Sequence, residues 1–439
     1  MEKVNPWWRG REGIEEDEDY IRWKESKIRW DPPLLEKIEL KPFSLSFLFG
    51  PRQIGKTTLV KLLIKKLLQE ADPKSIFYYR CDKLTDFKEL DEKIGEYLRI
   101  KKVEGIGASY IFLDEVTFPK EWFRAVKYRI DVGDLKRDAL FLAGSLSMFA
   151  KGEVETFPGR RGFGGDFVLH PVSFREFIKI SNPPLHEKLV KIQGFSPKEI
   201  RERCGKLLPW LPELNEALAS YLSCGGFPLS IKSLLEKGKV SQEAKDSYLS
   251  AFLYDLMKLK RNEAIAKRVL KAIIEKAPSS ISLNSVAKEF EIRSHKTVFY
   301  YLDLFEKLFI AKNVYFIEPN KNIEVFSKER KVHLTDPFLY HVFSDWCSTR
   351  IPEEPVIIES VVASHLARKL RIGYWKNNFE IDIVLPEKLV GFEVKWRRKA
   401  EPKMRRVGKY RDIIYLTREE FNDDPVAVPA SAFLGCLEV

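Results

Sequence analysis

Gly50-Pro51-Arg52-Gln53-Ile54-Gly55-Lys56-Thr57 stands between the apolar run Leu45-Ser46-Phe47-Leu48-Phe49 and Thr58 to Leu68, a stretch with helical periodicity. The order is strand, glycine-bearing loop, helix. Consecutive backbone N–H groups in such a loop point into a concavity at a helix N-terminus, where the amides and the helix dipole both favour phosphate oxygens. Gly50 and Gly55 permit the turn, and the nucleotide contacts are expected from Gly50, Pro51, Arg52, Gln53, Ile54, Gly55, Lys56, Thr57 and Thr58. Lys56 is expected to reach the β- and γ-phosphates, and the Thr57 hydroxyl to ligate Mg²⁺.

Downstream, Tyr110-Ile111-Phe112-Leu113 is an apolar strand that ends in Asp114-Glu115. At the carboxyl end of a parallel strand these acids face the ligand crevice. Asp114 would hold Mg²⁺ and Glu115 would orient and deprotonate the attacking water. Adjacent acids after a strand can also be a solvated turn, but the phosphate loop upstream favours the catalytic reading. The strand Leu140-Phe141-Leu142-Ala143 ends at Gly144-Ser145, which places Ser145 to sense the γ-phosphate. Gly159-Arg160-Arg161-Gly162 reads as a flexible loop. Arg160 there is either an arginine finger for a neighbouring subunit's nucleotide or a basic loop residue.

Length and composition frame the rest. The 439 residues exceed what one core usually supports. A hydrophobic content of 44% suits a folded chain, and no window approaches an apolar run of about 18 residues, so no membrane span is expected. Cys81, Cys204, Cys224, Cys347 and Cys436 form no CxxC pair and the start lacks a secretory signal, which points to the cytoplasm. The net charge of +11 favours a polyanionic partner, with DNA the expected one.

The chain reads as an N-terminal arm (1–40), a P-loop core (41–170), a helical lid with linker helices (171–270), a winged helix-turn-helix (271–330) and a final α/β domain (331–439). In the winged segment a helix from Leu283 to Phe290 and a longer one from Ser294 to Lys307 precede a strand from Phe309 to Phe316. Arg293, His295 and Lys296, at the start of the second helix, are the expected DNA contacts, while Val298, Tyr301, Leu302, Phe305 and Leu308 face the core. A winged fold used for protein contacts is the alternative.

In the final domain, strands around Ile381–Leu385 and Leu389–Trp396 bring Asp382 towards Glu393, and Glu393 and Lys395 share one face. Two close carboxylates bind Mg²⁺ or Mn²⁺, and a neighbouring ammonium can activate water, which is the layout of a phosphodiesterase site. Glu359 on the preceding helix is a further ligand candidate, and Arg397 and Arg398 would suit a phosphate backbone. The bland reading of Asp382, Glu393 and Lys395 is a salt-bridged strand edge.

GPRQIGKTTL, IFLDE, LAGS, HPVSFREF and the GGFP break resemble archaeal and bacterial AAA+ ATPases of the AAA_14 type. The likeness covers nearly the whole chain, and Lys331-Val332-His333-Leu334-Thr335-Asp336 resembles that group's entry into its final domain. It implies an α/β fold: a P-loop AAA+ parallel-sheet core, a helical lid, a winged helix and a C-terminal PD-(D/E)XK nuclease-like domain of the DUF4143 or DUF234 kind. Asp382, Glu393 and Lys395 fill that nuclease motif's positions, although many members have lost the activity. Relatives often form rings, so a homo-oligomer is one expectation, with no interface legible here. The expected activity is ATP hydrolysis acting on DNA, with metal-dependent cleavage by the last domain. The alternatives are a nucleotide-switched DNA-binding or regulatory protein with an inactive nuclease fold, and a motor acting on a protein partner.

Overall fold

Ser44–Phe49 forms the first strand, β1, and all six residues are buried, as a strand covered on both faces requires. The computed structural model describes residues 1–144, 157–396, 403 and 405–439. Ser145, Arg397 and Arg398 lie outside the described residues. The chain divides into two compact units, Met1–His170 and Pro171–Val439.

In the first unit β1 joins β2 (Ile76–Arg80), β3 (Tyr110–Asp114), β4 (Ala139–Ala143) and β5 (Asp166–Val168) in a sheet of order β2-β3-β4-β1-β5. Every pairing recorded in it is parallel. The parallel core expected from the alternating pattern is present. β4 lies between β1 and β3, and in open parallel sheets ligands bind beyond the carboxyl ends of such strands. The helix Lys56–Leu67 follows β1 after the glycine loop.

Two segments read differently in three dimensions. The stretch expected as a flexible loop at Gly159–Gly162 leads into a run laid along β1, where Leu45 N donates to Arg161 O and Phe47 N to Gly165 O. A Cβ on Gly164 would stand 1.9 Å from Leu45 O, so that position accepts only glycine. The Trp-rich arm is likewise packed rather than trailing. Trp7 and Trp8 both donate their indole N–H to Ile76 O, each at 2.9 Å, and Asn5 Oδ1 accepts from Tyr78 N. They satisfy groups of β2, an edge strand that would otherwise be open to pairing with another chain.

The second unit begins with helices and ends in a mixed sheet. Its strands are β6 (Ala311–Glu318), β7 (Ile323–Glu324), β8 (Arg330–Leu334), β9 (Gly373–Lys376), β10 (Glu380–Leu385), β11 (Val390–Lys395), β12 (Asp412–Thr417), β13 (Asn422–Asp423) and β14 (Val426–Pro429). Among the described residues their order is β13-β14-β12-β11-β10-β9-β6-β7, with β8 also on β6. The helix-turn-helix comprises Leu283–Glu289 and His295–Lys307, and Val298, Tyr301, Leu302, Phe305 and Leu308 are buried. β6, which follows it, pairs with both β8 and β9, so the sheet runs unbroken across residue 330. The GGFP break is a close approach. A Cβ on Gly225 would lie 1.9 Å from Asp336 Oδ1, and Gly226 N donates to Asp336 Oδ2 at 2.8 Å. Asp336 also caps the helix Pro337–Cys347 through Phe338 N.

Candidate nucleotide site and C-terminal acidic cluster

The loop 50–57 is shaped by backbone that few side chains tolerate. A Cβ on Gly50 would meet Leu169 O at 2.5 Å, and Gly55 has φ +96° with open space where its side chain would be. Gln53, at φ +59°, adopts the left-handed region without being glycine, a conformation that costs on the order of 1–3 kcal/mol and is concentrated at functional sites. The Lys56 ammonium lies across this loop, donating to Pro51 O at 2.8 Å and to Gly50 O at 3.1 Å.

Asp114 closes the other side. Its Oδ2 accepts from Thr57 Oγ1 at 2.6 Å and from the Tyr78 hydroxyl at 3.2 Å, and its Oδ1 accepts from Glu115 N at 2.9 Å. Glu115 sits at φ +51°, directly after β3, and Val116 N donates to Ala143 O, which ties this turn to β4. Glu115 Oε2 is buried without a hydrogen-bond partner among the described residues. Burial raises its carboxyl above the usual range, with the Lys56 ammonium pulling the other way. Such a carboxylate is suited to taking a proton from water. Thr57 and Asp114 present hard oxygens side by side, which fits Mg²⁺, and the glycine cradle with Lys56 fits a polyphosphate.

The structure brings Lys56, Thr57, Asp114 and Glu115 together. It keeps Arg160 in its own ion pair, Nε 2.6 Å from Asp131 Oδ1. Ser145 is not among the described residues. Tyr78 was not anticipated from sequence. Its signal was its place two residues before the carboxyl end of the neighbouring strand, on the face from which a long side chain reaches the acid of β3.

The second acidic site departs from expectation. Lys331 on β8, 1% exposed, donates to Glu359 Oε1 at 2.8 Å and Asp382 Oδ1 at 3.0 Å, and stands 2.7 Å from Glu380 Oε1. Burial alone would lower its pKa, but Asp382, Glu359 and Glu380 outweigh that and hold it above the ordinary lysine range. Burial and the Asp382 carboxylate push Glu359 up to about 8. Glu393 is drawn off to other partners, with Lys395 Nζ 2.5 Å from its Oε1 and Arg405 Nη1 3.3 Å from both oxygens. Asp382 Oδ2 accepts from Val394 N at 2.8 Å.

These residues do not fit a divalent cation, because an ammonium already occupies the point on which Glu359, Glu380 and Asp382 converge. Among the described residues no group of three or more His, Cys, Asp or Glu side chains could hold a metal ion. The expectation of Asp382, Glu393 and Glu359 as ligands, with Lys395 activating water, is corrected on that ground. The signal for Lys331 was the alternation Arg330-Lys331-Val332-His333-Leu334, a strand buried at all five positions that puts Lys331 and His333 on one face.

Arg293, His295 and Lys296 are exposed at the N-terminal end of the second helix of the helix-turn-helix, whose N-cap is Ser294. No helix among the described residues is long and apolar enough to cross a membrane.

Residues 43–178 match the family model of an AAA domain, AAA_14, and residues 215–350 that of a domain of unknown function, DUF8612. An uncharacterized protein of Methanocaldococcus jannaschii is 24% identical over 226 residues, which cover 48% of this chain and 45% of that protein. The match thus spans about half the length of that curated relative. Among solved structures, the Aeropyrum pernix ORC2 protein in its ADPNP-ADP complexes is 15% identical, with a TM-score of 0.36 over 70% of this chain and 88% of that one. The Aeropyrum pernix ORC1 protein in complex with DNA is 15% identical, with a TM-score of 0.31 over 77% and 96%. Cdc6p from Pyrobaculum aerophilum is 14% identical, with a TM-score of 0.25 over 70% and 88%. The family match agrees with the parallel sheet and the glycine loop: residues 43–178 resemble an AAA domain.

Proposed function

We propose that this protein hydrolyses ATP at the 50–57 loop and that its nucleotide state governs DNA binding by the second unit, without cleavage of the DNA. The convergence of Lys56, Thr57, Asp114 and Glu115 carries the first half. The loop amides and Lys56 would hold the β- and γ-phosphates, and Thr57 and Asp114 would hold Mg²⁺. When bound, Mg²⁺ offsets the charge of the phosphate oxygens. Glu115 accepts the proton of the water that attacks the γ-phosphorus, and ADP leaves as the bond to its β-phosphate oxygen breaks. A homo-oligomer with Arg160 acting on a neighbour's nucleotide is not favoured, since Asp131 already engages that guanidinium.

The DNA half is supported by the net charge of +11 and by Arg293, His295 and Lys296, exposed where a recognition helix meets the major groove. Lys331, seated among Glu359, Glu380 and Asp382, favours a binding module over a nuclease. The test is to incubate the protein with labelled branched, single-stranded and duplex DNA, with Mg²⁺ or Mn²⁺, with and without ATP. Nucleotide-dependent binding with the DNA intact is expected. Cleavage that disappears in Asp382→Ala would replace this reading with an ATP-coupled nuclease, and no DNA binding in any nucleotide state would leave a motor on a protein partner.

A further inference from the structure

Asp114 is held by two hydroxyls on one oxygen, and only one of them belongs to the phosphate loop. The other, Tyr78, stands on β2, whose recorded partner in the sheet is β3. The Tyr78 hydroxyl donates to Asp114 Oδ2 at 3.2 Å, from the strand next to β3. The ring beneath that hydroxyl is fixed in turn. Lys61 Nζ stands 3.2 Å from its centroid and 5.4 Å from the Trp7 ring, and pairs with Asp17 Oδ2 at 2.8 Å. Lys61 is 2% exposed and lies one helical turn after Thr57, so Thr57 and Lys61 share a face of the helix Lys56–Leu67. Thr57, Asp114, Tyr78 and Lys61 therefore close a ring through that helix. Asp17 and Trp7 reach the ring from the N-terminal arm, and Asn5 accepts from the Tyr78 backbone.

We infer that Tyr78 is a positioning residue for the Asp114 carboxylate and that the N-terminal arm, through Asp17 and Lys61, holds Tyr78 in place. The arm is thereby part of the site's metal-holding apparatus. This rests on the nucleotide-site reading above. The cation-over-ring contact is stronger where solvent is excluded, as around the buried Lys61. With the hydroxyl gone, the Asp114 carboxylate would lose the donor that sets its rotation alongside Thr57.

The experiment measures binding of a fluorescent ADP analogue to the full chain, first in EDTA and then with increasing Mg²⁺, with Mn²⁺ binding in the presence of ADP followed by electron paramagnetic resonance. Tyr78→Phe, which keeps the ring, is expected to bind the analogue in EDTA as the parent does. Its half-saturating Mg²⁺ concentration is expected to rise on the order of tenfold, as for loss of one hydrogen bond to a charged group. Asp17→Asn and Lys61→Met should shift it in the same direction, with Tyr78→Trp failing to restore it. Thermal melting of each variant confirms that the fold is intact. A Tyr78→Phe protein with unchanged Mg²⁺ dependence overturns the inference. A shift in Tyr78→Phe with none in Asp17→Asn or Lys61→Met overturns the role of the arm. Lys56→Ala is the control: undiminished analogue binding there overturns the nucleotide-site reading itself.

Discussion

Thr57 Oγ1 stands 2.6 Å from Asp114 Oδ2, so a hydroxyl from the first turn of one helix and a carboxylate from the tip of β3 converge on one point. They are 57 residues apart in the chain. The sheet order brings them together, since β1 and β3 flank β4 and both loops leave the same edge.

From that convergence, Lys56→Ala is expected to abolish nucleotide binding, and Glu115→Gln to bind ATP but turn it over roughly 10²- to 10⁴-fold more slowly, as for loss of a general base. Equilibrium binding and steady-state phosphate release separate the two. Undiminished turnover in Glu115→Gln would remove Glu115 from the role of base.

Lys331→Ala leaves Glu359, Glu380 and Asp382 buried without their shared ammonium. Breaking a buried ion pair by removing one partner typically costs about 3–5 kcal/mol. Chemical denaturation should show a loss of that order, and Lys331→Ala combined with Glu359→Gln should recover part of it. If the single variant is as stable as the parent, Lys331 does not hold the cluster together.

Burial raises the Asp336 carboxyl from an ordinary value of 3.8 to about 7, against the opposing hydrogen bonds from Gly226 and Phe338. Folding therefore takes up a proton there. Its contribution to stability is full below the unfolded value and is lost as pH rises through about 7, with a slope of up to about 1.4 kcal/mol per pH unit. Arg368 faces the same group and moderates the effect. Melting curves from pH 4 to 8 should show Asp336→Asn losing the fall in stability that the parent has across that window. Parallel curves would exclude Asp336 as its source.

Arg293→Ala with Lys296→Ala should weaken DNA binding in all sequences alike and flatten its salt dependence, by about one unit of slope for each phosphate that is no longer neutralised. Gel-shift titrations from 50 to 200 mM salt measure this. An unchanged slope would place the DNA elsewhere.

Much of the first unit was legible because its signals are local. A phosphate loop needs its glycines and lysine in sequence, and an acid pair at a strand tip is read from the apolar run before it. Gln53 and Glu115, both in the left-handed region, show backbone that no propensity would have suggested. The helices Leu283–Glu289 and His295–Lys307 were legible for the same reason, the buried face of the second recurring at helical spacing. The C-terminal site was legible as residues and wrong as a constellation. Asp382 and Glu393 do stand on paired strands, yet each has found a cation of its own.

By itself the amino-acid sequence determined that a glycine-bearing loop would join β1 to the helix Lys56–Leu67, because eight consecutive residues supply turn, amides and lysine within one short span of chain. It also determined that β1, β3 and β4 would be buried parallel strands, through their near-continuous apolar runs. Only the tertiary structure decided what the acids would meet. Lys331 lies 28 residues from Glu359 and 51 from Asp382 in the chain, and Asp17 lies 44 from Lys61. Whether such charges meet is settled by the pairing of β6 with β8 and β9 and by the packing of the arm beside β2. Coulomb attraction acts between positions in space, and spacing along the chain carries no record of which cation a buried carboxylate will face.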